Sequence, residues 1–138
     1  MDARYAFRVR VRIESAREDV SLEPSSAETT VTLFREAPEP GTEGWLFFRN
    51  TLWRGAVGDE DYARQLAAEW LGVPERTVQM VEFRELQTDE DYFDALKAEI
   101  AADLEPFKAD TVSEVLSKYL GSSIRVTETD GSRNDGTE

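Results

Sequence analysis

Cysteine and histidine are both missing from this 138-residue chain. Without cysteine there is no disulfide framework and no thiolate zinc site, and without histidine there is no imidazole base. Lysine is scarce: Lys97, Lys108 and Lys118 are the only three, against thirteen arginines. No stretch approaches the roughly 20 apolar residues of a membrane-spanning helix. Met1-Asp2-Ala3-Arg4 runs straight into an alternating pattern, with no apolar secretory core. A cytoplasmic protein without a membrane anchor is the expectation. The Gly-x-x-x-x-Gly-Lys phosphate loop, the Gly-x-Ser-x-Gly elbow and the dinucleotide fingerprint are absent as well. A catalyst would therefore have to work with Asp, Glu, Lys, Tyr or Ser. Carboxylate pairs can act as acid and base, but among twenty-nine acidic residues they arise everywhere by chance. The reading leans away from an enzyme, and no catalytic residue, metal ligand or cofactor is assigned.

What the chain does have is negative charge: twenty-nine acids against sixteen bases, a net −13. Low hydropathy with high charge usually signals disorder. Here three tryptophans, seven phenylalanines and strongly periodic segments indicate a packed core. The acids are spread along the chain rather than blocked into a tail. Such a surface, poor in lysine, suits molar salt, where the Debye length shrinks to about 3 Å and self-repulsion is screened.

Tyr5 to Glu14 alternates cleanly, with Tyr5, Phe7, Val9, Val11 and Ile13 on one side and Arg8, Arg10 and Arg12 on the other, the pattern of a half-buried strand. Residues 15–28 read as a polar connection anchored by Val20 and Leu22. A second strand spans Thr29 to Arg35, and the Pro- and Gly-rich stretch from Glu36 to Gly44 reads as a loop. Trp45 to Arg54 is apolar at both parities and reads as a two-sided third strand, with Trp45, Phe47 and Trp53 opposite Leu46, Phe48 and Leu52. A helix follows from about Asp59 to Leu71, its stripe Ala63, Leu66, Ala67, Trp70 and Leu71 at core-facing spacing, stopped by Gly72 and Pro74. Thr77 to Leu86 is a fourth strand whose alternation slips between Met80 and Val81, as a bulge would cause. A helix bearing Phe93, Leu96, Ile100 and Leu104 comes next. A third, capped by Asp110 or Thr111, buries Val112, Val115, Leu116, Tyr119 and Leu120. Ile124 and Val126 mark a last short strand.

The expectation is an α+β domain over residues 1–127 in the order β-β-β-α-β-α-α-β. It would be a mixed, mostly antiparallel sheet of about five strands, a three-stranded meander feeding a β-α-β crossover, with helices mainly on one face. An acidic, disordered tail would occupy 128–138.

One tetrapeptide recurs: Asp59-Glu60-Asp61-Tyr62 returns as Asp89-Glu90-Asp91-Tyr92, followed by Leu66/Leu96, Ala68/Ala98 and Glu69/Glu99 in matching positions. A duplicated unit or a pair of Asp-x-Asp metal sites is the sharper explanation. Helix-start chemistry is the simpler one, because first-turn carboxylates cap free amides and meet the positive end of the dipole. No further oxygen ligand is spaced for a metal.

The segment Phe48-Arg49-Asn50-Thr51-Leu52-Trp53-Arg54-Gly55, taken with the acidic composition, resembles the haloarchaeal LWR-salt family through its Leu52-Trp53-Arg54 motif. The resemblance covers the chain from the first strand through the second helix. It implies a salt-adapted host and carries no activity.

The candidate binding residues are Arg8, Arg10, Arg12, Arg49, Trp53 and Arg54. Residues 1–14 are net positive in an otherwise acidic chain. A row of arginines can hold phosphates or carboxylates bidentately, which would make a small anion- or RNA-binding protein, with Arg49 joining the strip. The favoured alternative is pairing with acids on neighbouring strands, since high salt erodes phosphate binding and disfavours nucleic acid. Trp53 is expected as a core or interface residue and Arg54 in an ion pair near the following helix. A ligand site at this strand end is the competing view. A two-sided third strand would leave an apolar row on the face that helices do not cover. A homodimer or a protein partner would then hide it, unless the 15–28 connection or the third helix folded over it. The overall reading is a non-catalytic interaction module.

The acidic surface generates a direct expectation. The melting temperature should fall steeply on dialysis from multi-molar to low-millimolar potassium chloride, and a melt that salt leaves unchanged would refute the screening argument.

Overall fold

The computed structural model describes residues 1–14, 19, 21 and 26–127. Val20, Leu22 and the expected tail at 128–138 lie outside them. The α+β class holds: a four-stranded mixed sheet and a small two-stranded ribbon are accompanied by four helices. None of these helices is long and apolar enough to cross a membrane. Strand β1 (Ala3–Glu14) pairs antiparallel with β2 (Ser26–Glu36) on one side and β5 (Val78–Asp89) on the other. β6 (Ile124–Thr127) adds parallel to β5, giving the order β2-β1-β5-β6. The alternation seen in the sequence sorts β1 as expected. Tyr5, Phe7, Val9 and Val11 are buried, while Arg4, Arg8, Arg10 and Arg12 are exposed. Ile13, past the covered part of the sheet, is 52 % exposed.

The expected third strand is corrected. Residues 45–54 do not enter the sheet: they form a short helix α1 (Phe47–Thr51) and a two-residue strand β3 (Leu52–Trp53), which pairs with β4 (Ala56–Val57). An unbroken apolar run carries no period of its own, so strand and buried helix look alike in sequence. Turns decide between them. Trp45 N–H donates to Thr42 O (3.1 Å), Phe47 N–H to Gly44 O (3.1 Å) and Asn50 N–H to Leu46 O (3.0 Å), winding the chain before it can extend. The buried set Phe48, Thr51 and Leu52 then has helical i, i+3, i+4 spacing. Phe47 packs on the sheet at Tyr5 (ring centroids 4.8 Å), and Phe48 turns the other way, stacking on Phe107 (5.9 Å).

With no third strand in the sheet there is no three-stranded meander. The crossover also moves. It joins β5 to β6 through α3 (Glu90–Ala102) and α4 (Val112–Tyr119), while α2 (Glu60–Leu71) connects β4 to β5. The expected slip in β5 is real but falls at Gln79, and a second lies five residues further on. The ladder to β1 skips Gln79 and again Arg84, so Val78, Val81, Phe83 and Leu86 all reach the core despite uneven spacing.

The recurring tetrapeptide starts two helices. Asp59 Oδ1 accepts from Tyr62 N–H (3.1 Å), and Asp89 Oδ1 accepts from Tyr92 N–H (2.8 Å). The likeness ends there, because Tyr62 is 46 % exposed and Tyr92 only 2 %. Burial pushes the Tyr92 phenol up to about 12. Its hydroxyl donates to Pro38 O (2.8 Å), tying the loop after β2 to α3.

Helices and sheet share one core, in which Phe7, Phe48, Phe107, Leu86, Leu96 and Ile100 are nearly inaccessible. Phe48→Ala should therefore cost about 3–5 kcal/mol, and Tyr62→Ala should stay within about 0.5 kcal/mol of the parent. Urea unfolding of the two variants measures both, and equal losses would contradict this packing.

Candidate functional site

The sheet face away from the helices is polar and ordered in rows. Glu36, Arg4, Gln87 and Arg125 stand side by side across all four strands. The next row holds Phe34, Ala6 and Glu85, and the one after it Thr32, Arg8 and Glu82. Alanine at position 6 interrupts what would otherwise be a continuous arginine row, and a depression opens on this face beside Phe34 and Gln87. One lobe, about 460 Å³, is lined by Arg4, Phe34, Glu36, Gln87, Asp89 and Arg125 among others. A smaller lobe of about 210 Å³ reaches Arg8 and Arg84 and shares Phe34 and Gln87 with the first.

Most arginines on this face are matched by acids on the next strand or, for Arg84, on its own. Arg12 pairs with Glu28 (2.7 Å), Arg125 with Glu85 (2.7 Å), and Arg8 and Arg84 share Glu82 (3.9 and 3.6 Å). The hydrogen bond from Arg12 holds the Glu28 carboxyl below its ordinary range. Such exposed pairs contribute little stability, but they neutralise the strip.

Arg4 is different. Its guanidinium lies over the Phe34 ring (3.8 Å to the centroid), and its Nε donates to Gln87 Oε1 (2.8 Å). Among the described residues it enters no ion pair, although Glu36 is its direct neighbour in the ladder. Arg10, between Thr30 and Met80, also enters none, but it lies outside both lobes. At the end of the depression Asp89 is fully engaged. It accepts from the N–H of Asp2 (2.9 Å) and of Tyr92, and faces the Met1 ammonium at 3.5 Å. Burial works against its charge, but those N–H groups and then the ammonium outweigh it and lower its pKa. A carboxylate so committed is not a free general base.

The Leu52-Trp53-Arg54 motif lies elsewhere, in the helix layer. Leu52 is buried in the core, and Arg54-Gly55 forms the two-residue turn between β3 and β4 with φ of 53° and 83°. Both central residues of this tight hairpin need positive φ, a conformation that costs roughly 1–2 kcal/mol in a non-glycine residue. The turn is held by the end of α4, where Arg54 N–H donates to Lys118 O (2.8 Å) and Gly55 N–H to Tyr119 O (3.0 Å). Those carbonyls would otherwise be left unpaired at a helix terminus. The approach is close on both sides: a Cβ on Gly55 would sit 3.2 Å from Leu120 O, and one on Gly121 would sit 3.2 Å from the Arg54 carbonyl.

Of the two places expected for Trp53, core or interface, the core is excluded. Trp53 is 46 % exposed, packs edge-on against Tyr119 (6.0 Å), and forms a shallow surface with Arg54, Glu114, Ser117 and Lys118. The expected Arg54 ion pair is also corrected. Among the described residues Arg54 meets no carboxylate and lies instead 5.7 Å from the Trp53 ring centroid.

The structure thus splits the six candidate residues. Arg8, Arg10 and Arg12 are on the open face, and Arg49, Trp53 and Arg54 are in the helix layer. Arg49 cannot join the strip because α1 is not part of the sheet, and its guanidinium bonds Asn50 Oδ1 (3.0 Å). Arg4, Phe34, Gln87 and Arg125 were missed. Arg4 shares the parity of the other arginines and was legible in β1, but Arg125 reaches the row only through the β5–β6 pairing.

Residues 1–130 match the model of a family described as LWR-salt protein. No curated protein and no solved structure matches the chain.

Because the motif fixes a turn against a helix end, its glycines should matter more than its tryptophan. Gly55→Ala and Gly121→Ala should each cost on the order of 1–3 kcal/mol. Trp53→Ala should cost about 1 kcal/mol, the worth of an edge-on ring pair with modest burial. Thermal melts that rank Trp53→Ala as the most damaging of the three would reverse this assignment.

Proposed function

We propose that this chain, which belongs to the LWR-salt family, is a non-catalytic binding module that holds a small organic anion on the open face of its sheet. The observation that carries the reading is Arg4: a guanidinium held by Phe34 and Gln87, without a carboxylate partner among the described residues, at the wall of a 460 Å³ depression. Fixing a fork of donors in advance lowers the entropy lost on binding, and the volume is within the range of small-ligand sites. Arg125 stands in the same row but is already paired with Glu85 (2.7 Å), so the reading rests on Arg4. The ligand chemistry is a carboxylate or phosphate on a small organic body that covers Phe34.

A nucleic-acid role is less well supported. Arg8, Arg12 and Arg125 already face acids, and those acids would repel a polyphosphate that tried to displace them. The acidic composition fits a protein working in the cytoplasm of a salt-rich cell. There a site built on ring stacking and directed hydrogen bonds keeps more of its affinity than one built on long-range charge.

Calorimetry with a panel of small carboxylates and organic phosphates in molar potassium chloride tests this. Binding by the parent should weaken at least tenfold in Arg4→Gln and stay unchanged in Arg10→Gln, whose arginine is also free of ion pairs but outside the depression. Equal affinity in all three proteins, or tight binding of single-stranded RNA that collapses with rising salt, would replace the proposal.

A further inference from the structure

The outer edge of β2 is long, straight and undefended. β2 pairs with β1 over its whole length from Ser26 to Glu36 without a register shift, and among the described residues has no strand on its other side. Among the described residues, no backbone group of residues 27–36 bonds to another backbone group outside that ladder. Natural sheets protect such an edge by keeping it short, by lysine or proline, by a bulge, or by covering it. Among the described residues no strand or helix covers this edge, and its central stretch from Thr29 to Phe34 carries no charge, proline or bulge. Thr29-Thr30-Val31-Thr32-Leu33-Phe34 is an uncharged run of β-branched and aromatic residues without glycine or proline, the composition that pairs with another strand. The other sheet edge, β6, has only four residues.

We propose that a second copy of this chain pairs with β2 antiparallel about a two-fold axis at Val31, joining two sheets into one of eight strands. A two-fold normal to the sheet keeps both helix layers on the same side. It requires that opposed residues share a face, so Val31 meets Val31 of the partner subunit, Thr29 meets the partner's Leu33, and Thr30 meets the partner's Thr32. Moving the axis to Thr32 would set Glu28 against the partner's Glu36 on one face, a like-charge opposition that the Val31 register avoids. Half-buried Val31 and Leu33 gain cover. Phe34, 42 % exposed and part of the anion depression, gains the partner's Glu28 as a neighbour. The occupant is a second copy because the edge complements itself: under the two-fold its backbone groups and its central uncharged run meet their own copies, and no charged residue opposes one of like sign. Each copy carries −13, so association strengthens as salt screens the repulsion.

This surface replaces the one expected from the sequence, because the apolar row supposed to lie on the open face is held in α1 instead. Light scattering in molar potassium chloride should give twice the 15.6 kDa chain mass, falling toward the single-chain mass as salt is removed. Thr29→Lys puts a charge at an exposed edge position beside Val11, and should return the mass to a single chain with an unchanged circular dichroism spectrum. The chain has no cysteine, so Val31→Cys should give a disulfide-linked dimer on mild oxidation, whereas Gln65→Cys on exposed α2 should not. A single-chain mass at every concentration and salt overturns the proposal. So does a dimer that survives Thr29→Lys and fails to cross-link through Val31→Cys.

Discussion

Everything in this fold hangs on the alternation of β1. Among the described residues it is the only strand flanked on both sides over most of its length, so a one-residue change in its register would exchange the two faces of the molecule. Tyr5, Phe7, Val9 and Val11 collect the helices: Phe7 alone meets Phe47, Trp70 and Phe83. The same alternation sends Arg4, Arg8, Arg10 and Arg12 to the opposite side, where neighbouring strands supply Glu28, Glu82 and Glu85. Core and polar face are two consequences of one period-two pattern. The depression beside Arg4 opens on that same polar face.

The second constraint is the hairpin on the end of α4. Helix ends need acceptors and donors satisfied, and here the family's signature motif does that work through its backbone. Leu52 anchors the ribbon in the core, Arg54 and Gly55 turn it, and their N–H groups meet the last carbonyls of the helix. A positive φ at Arg54 is tolerated because this contact compensates it. Trp53 and the Arg54 side chain face outward as a result, so the two most conspicuous side chains of the motif are not the ones that hold the fold.

The two proposals meet on β2. The strand lends Phe34 to the anion depression with one face and offers its edge to a second copy. They are independent in physical terms, since one rests on a guanidinium without a carboxylate and the other on backbone groups without a ladder.

The sequence by itself determined what depends on near neighbours. Strand β1, helices α2, α3 and α4, and the α+β class follow from period and from caps such as Asp59, Asp89 and Thr111, which act within three or four residues. The acidic surface and the exclusion of imidazole and thiol chemistry follow from composition. The tertiary structure decided what depends on distant partners. The run Trp45 to Arg54 is apolar at every parity, so its period selects neither strand nor helix; turn hydrogen bonds to Thr42 and Gly44 start the helix, and Tyr5, Phe107 and Tyr119 receive its rings. Whether an arginine is paired depends on which strand lies beside it. Arg12 finds Glu28 and Arg125 finds Glu85, while Arg4, directly opposite Glu36, turns instead to Phe34 and Gln87. Periodicity assigns a residue to a face; only the assembled sheet decides what it touches there.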